Sequence, residues 1–224
     1  MINKTLSTLI GSSVLAVALP LVPSVANAIV YDTWTTNEGD SGNYVLTVTE
    51  DDINDVFNVE LTVEPWNAEA LGIFIDLGDK DILDNTLSGS NVSLINTDTT
   101  NNGCGSGCNI NGLDAPIADP DGEWEWVIGL ADQGFDGIQT FNFDIARNGA
   151  TKEHWGLVAI RAQQLCPQGQ TLDNGDEGCG GSDKSYGLPN PDGHPGKKIP
   201  EPSTVLALGL IGGGMFLSRR RQNV

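Results

Sequence analysis

Apolar residues recur at every second position through much of this chain. Phe57, Val59, Leu61 and Val63 alternate with Asn58, Glu60 and Thr62, which turns one face of an extended segment toward a core and the other toward water. The same period runs through Tyr44, Leu46 and Val48, through Leu71, Ile73, Ile75 and Leu77, through Trp124, Trp126, Ile128 and Leu130, and through Phe141, Phe143 and Ile145. Each set is expected to share one face of its strand. Trp155–Ile160 is apolar on both faces, the mark of a central strand. Turn clusters such as Asn37-Glu38-Gly39-Asp40-Ser41-Gly42 and Asp119-Pro120-Asp121-Gly122 punctuate these runs, and no amphipathic helix pattern competes with them. The pattern predicts an all-β fold, an antiparallel β-sandwich of jelly-roll-like or immunoglobulin-like kind. Ser88–Ala118, rich in Asn, Thr and Gly, reads as long loops around a short strand at Val92–Ile95. From Gln168 onward Gly, Pro, Asp and Asn leave too few apolar residues to build a core, and 188–199 reads as a linker.

Two stretches break the period. At the start, Lys4 precedes an apolar run from Leu6 to Val22 and the small-residue triplet Ala26-Asn27-Ala28, the grammar of a secretory signal helix cleaved between Ala28 and Ile29. At the end, Pro200-Glu201-Pro202 leads into an apolar run from Val205 to Leu217 and then Arg219, Arg220 and Arg221. The prolines hold Glu201 in an extended segment, the run forms a short transmembrane helix, and the arginines keep its end in the cytoplasm. A plain tail anchor has the same physical parts. The expected order is a signal peptide at 1–28, a β-sandwich domain with Gly/Asp-rich loops at 29–187, the linker at 188–199 and a membrane-entering segment at 200–224.

That last segment resembles the PEP-CTERM sorting domain, which is carried here by Pro200-Glu201-Pro202, the apolar helix and the arginine cluster in that order. The resemblance implies recognition and removal by an exosortase-type membrane protease. It also implies release or re-anchoring at the surface of a Gram-negative cell, often beside exopolysaccharide systems. It covers residues 200–224 and carries no implication for the middle of the chain.

Charge narrows the partners. Between Ile29 and Ile199 stand seven basic residues and 29 acidic ones, a net −22. Such a field repels nucleic acid and anionic lipid and favours cations. The four cysteines, Cys104, Cys108, Cys166 and Cys179, all lie in this exported part, and an even count after an export signal reads as two disulfides. Three pairings are open, with local closure of 104 to 108 and 166 to 179 preferred; a four-cysteine zinc site lacks the usual short spacing. Asp76, Asp79, Asp81 and Asp84 crowd one turn and Asp119, Asp121 and Glu123 another, sets of hard oxygen ligands suited to Ca²⁺. Glu123 and Glu125 stand two apart on a strand, a spacing a glycosidase could use, with Trp124 and Trp126 expected together on the opposite face. His154 and His194 are the two histidines, and neither sits in a hydrolase motif. The expectation is a non-enzymatic structural or adhesive protein of the cell surface or matrix that requires no cofactor. A carbohydrate-binding sandwich and a polysaccharide hydrolase are its rivals.

Overall fold

A computed structural model of the chain describes residues 28–82, 86–131, 136–172 and 179–190. The expected signal helix, Asp84, His194, most of the linker and the whole sorting segment lie outside the described residues. Among the described residues no helix is long and apolar enough to cross a membrane.

The described residues are all-β. The strands are β1 (Ile29–Tyr31), β2 (Trp34–Thr36), β3 (Tyr44–Asp51), β4 (Val56–Val63), β5 (Glu69–Ile75), β6 (Leu87–Gly89), β7 (Val92–Thr99), β8 (Gly103–Gly105), β9 (Cys108–Asn109), β10 (Trp124–Leu130), β11 (Thr140–Ala146), β12 (Val158–Leu165) and β13 (Gly181–Gly187). A single 3-10 turn, Lys152–His154, precedes β12. One antiparallel sheet runs β1-β3-β4-β11-β6 and a second runs β2-β13-β12-β5-β10-β7, with β8 and β9 forming a separate hairpin.

The alternating residues of the first sheet meet the second sheet in one core. Tyr44, Leu46, Val48, Phe57, Leu61, Phe141 and Ile145 pack with Ile73, Ile75, Trp126, Ile128, Val158 and Ile160. This is a two-layer, sandwich-like arrangement. The outer faces of the two sheets differ. Residues from the hairpin to Ile117 lie over the second sheet, where Cys104, Cys108 and Ile110 join Leu71, Phe74, Trp124, Val127, Leu157 and Ala159 in a second apolar cluster. Strands β5 and β10 are therefore buried on both faces along their whole length. Gly72 and Gly129 face each other across these two strands. A Cβ on Gly72 would collide with the Cys104 and Cys108 sulfurs, so the bare backbone there makes room for the disulfide.

Several expectations need correction. Leu71 does not share a face with Ile73 and Ile75. The β5–β12 register slips by one residue between the Arg161–Gly72 and Ala162–Ala70 pairs, and this bulge sends Leu71 to the outer cluster. Trp124 and Trp126 are also split. Trp124 lies past the last residue of β10 that pairs with β5 and packs edge-on against Phe74 in the outer cluster, whereas Trp126 meets Phe57 and Trp155 in the central core. The short strand expected at Val92–Ile95 continues to Thr99. Finally, the stretch thought too polar for a core supplies β13, an interior strand of the second sheet, with Asp183 and Ser185 wholly buried.

Candidate functional site

The two acidic turns that stand apart in sequence converge at one end of the second sheet. Asp76 follows β5 directly and is fully buried. Its Oδ1 accepts from the Gly78 N–H at 2.8 Å and its Oδ2 from the Ala118 N–H at 2.6 Å, which ties the first turn to the loop before β10. Asp119 organises that loop by accepting from the N–H groups of Asp121 and Glu123 at 2.7 and 3.2 Å. Glu125, only 2 % exposed, accepts a hydrogen bond from the Leu77 N–H.

Electrostatics registers the crowding. Burial, together with the neighbouring Asp76 and Asp119 carboxylates, pushes Glu125 up to about 8. Burial, with Asp81 and Asp119 beside it, likewise raises Asp98 on β7. Burial and Asp76 also raise the Tyr31 phenol, whose Oη donates to the Gly156 carbonyl at 3.0 Å. Of the expected calcium ligands, Asp76 is buried at this crowded end, Asp81 is exposed at its edge beside Asp98, and Asp79 is exposed. No group of three or more His, Cys, Asp or Glu side chains among the described residues is placed to hold a metal ion. Each Asp76 oxygen already accepts one backbone N–H, so a cation there would share the carboxylate with those donors.

A second buried carboxylate lies at the other end of β5. Glu69 accepts from the Asp136 N–H at 2.5 Å and from the Gln163 amide at 2.8 Å. Burial raises it above the usual carboxylate range, and the Asp136 carboxylate adds to the shift. Asp183 is buried with four donors, namely Thr36, Ser185 and Tyr44 hydroxyls and the Gly42 N–H, all within 2.9 Å. This network stitches β2, β3 and β13 together.

The cysteines pair locally, Cys104 with Cys108 and Cys166 with Cys179. Glu123 and Glu125 do not form an open pair, since Glu125 is buried against Leu77. His154 caps its own turn, its Nδ1 accepting from the Thr151 N–H at 3.0 Å. All five tryptophans are wholly or partly buried. Trp124, Trp126 and Trp155 are interior, and Trp34 and Trp66 pack partly buried against the central core.

Sequence reasoning passed over the outer face of the first sheet. Strands β3, β4 and β11 pair in register without a break, and their outward residues form rows: Val45-Thr62-Thr140, Thr47-Glu60-Asn142 and Thr49-Asn58-Asp144. Thr47, Thr49, Asn58, Glu60, Asn142 and Asp144 line a groove of about 300 Å³. Asn58 donates to Asp144 at 2.7 Å. The signal for this face was present in the sequence as the polar half of each alternation.

No family model, curated protein or solved structure matches this chain. Its function has to be argued from its own residues.

Proposed function

We propose that this protein is an exported, non-catalytic structural or adhesive component of the cell surface or extracellular matrix. In this reading an exosortase-type protease removes the C-terminal segment that carries Pro200, Glu201, Pro202 and Arg219–Arg221, and the protein is held in the membrane by that segment until then. The observation that carries the non-catalytic part is the fate of the aromatic and acidic side chains. The tryptophans fill interior space, and the buried carboxylates Asp76, Asp183 and Glu69 are bound by donors from their own fold, so their chemistry is structural. Two local disulfides fit an oxidising compartment, periplasmic or extracellular.

Calcium enters the same reading as a counter-ion for the crowded acidic end. The support is that the Asp76 turn and the Asp119 loop are joined through the Ala118 N–H bond to Asp76, within a domain of net −22 whose field favours a divalent cation.

The mass of the intact protein recovered from its native compartment tests the processing. A mature chain beginning at Ile29 and lacking Phe216 and the three arginines is expected. A species that retains them would return the C terminus to a plain tail anchor.

A further inference from the structure

The two sheets are not finished alike. A disulfide-closed segment covers the outer face of the second, while the outer face of the first presents its polar rows to solvent: Asn58, Glu60, Thr140 and Asn142 are exposed and Thr47, Thr49, Thr62 and Asp144 half-buried. Among the described residues Thr47, Thr49, Glu60 and Asn142 spend none of their side-chain hydrogen-bonding capacity on the protein itself. The outward positions of β3, β4 and β11 include two carboxylates, Glu60 and Asp144, inside the groove and a third, Asp51, at the strand end, with no Lys or Arg among them.

Chemistry selects the occupant. Hydroxyl and amide groups repeat at about 4.8 Å across the strands and about 6.8 Å along them, spacings on the scale of one sugar ring. Neutral sugars are ordinarily gripped by an aromatic platform with a few polar groups, and the outward positions of β3, β4 and β11 carry no aromatic residue. Neutral hydrogen bonds alone exchange with water for little net gain, whereas charge-assisted ones are roughly twice as strong. A ligand that gains on this face therefore carries positive charge together with hydroxyls. A second copy of this chain brings the same −22 and the same carboxylates, so charge argues against self-association here.

The geometry points to a binding site for a cationic amino-sugar polymer on the outer face of β3-β4-β11, with ammonium groups against Glu60 and Asp144 and ring hydroxyls bonded to Thr47, Thr49 and Asn142. This inference rests on the adhesive reading and names its partner.

Titration calorimetry on the protein purified from its own cells tests it, with β-linked glucosamine oligomers, their N-acetylated counterparts and oligolysine of equal charge as probes. The glucosamine oligomer should bind and weaken steeply with salt. Combined Glu60→Gln and Asp144→Asn should cost at least tenfold in affinity. Combined Thr47→Val and Asn142→Ala should cost severalfold for the oligosaccharide and nothing for oligolysine. All positions lie on the outer face, and unchanged melting temperatures verify that the variants fold. Equal binding of the N-acetylated oligomer, insensitivity to the four substitutions, or an oligolysine response that follows them equally would each overturn the site. The mass measurement on the mature chain is independent of all these outcomes, so failure here leaves the export and processing reading standing or falling separately.

Discussion

Glu125 is the residue at which reading the chain and reading the fold diverge most. Its position in Glu123-Trp124-Glu125-Trp126 marks it as outward-facing by alternation, yet it is buried and bonded to the Leu77 N–H. Its raised affinity for a proton has a thermodynamic consequence. The folded-state value of about 8 lies above the ordinary carboxylate value of 4.5. The folded chain therefore holds a proton that the unfolded chain releases, and the stability this confers is full below about pH 4.5 and lost as pH rises through 8. Glu125→Gln keeps the acceptor and removes the charge, so the variant should exceed the parent in stability at pH 9, by at most about 5 kcal/mol before solvent screening reduces it, with the difference disappearing near pH 4. Urea unfolding at the two pH values measures this. A variant less stable than the parent at pH 9 would show that the carboxylate is ionised at no cost. Leu71 and Trp124 teach the same lesson at single residues. Period-two patterning places side chains correctly until a bulge or the end of a pairing shifts the phase, and neither event leaves a mark in hydrophobicity.

At the level of elements, the long alternating runs were legible as strands because each buries one face against the opposite sheet. That covers β3, β4 and β11 fully, and most of β5 and β10. Strand β13 was not legible. Gly181–Gly187 carries Asp183 where an apolar residue is expected, and it holds its place through the hydroxyls and N–H that converge on that carboxylate. The cap over the second sheet was hidden for a similar reason: its apolar residues, Ile110, Leu113 and Ile117, are scattered through turns and have no period. Its anchoring depends on Gly72. In Gly72→Ala the new Cβ would stand 2.4 Å from the Cys104 sulfur, which is overpacking worth about 1–3 kcal/mol. The same substitution combined with Cys104→Ser and Cys108→Ser should cost less, because an opened hairpin can move aside. A double-mutant cycle from chemical denaturation gives the coupling. Additive costs would mean that the hairpin yields as easily closed as open.

For the whole molecule, charge and cysteine count were legible at once. The acids gather where β5 ends and β10 begins, on carboxylates drawn from turns some forty residues apart, a proximity that the antiparallel pairing of those strands creates. Millimolar calcium should raise the melting temperature, and magnesium should do so much less, since a flexible set of oxygens suits the larger ion. Equal small shifts with both would reduce the effect to screening of the net charge.

The chain also closes on itself. The Asn190 N–H donates to the Val30 carbonyl at 2.9 Å, along the free margin of β1, so the last described residue lies beside the second residue of the first strand. Seen as mechanics, this determines how the domain carries a load. A pull arriving from the C-terminal side loads the contacts of Asn190, this bond among them, before it reaches a strand. The force then passes to β13, which is held between β2 and β12, where many backbone bonds share it. A protein fastened at one end and gripped on a sheet face would thus yield slightly at its attachment before any strand is drawn out of the core.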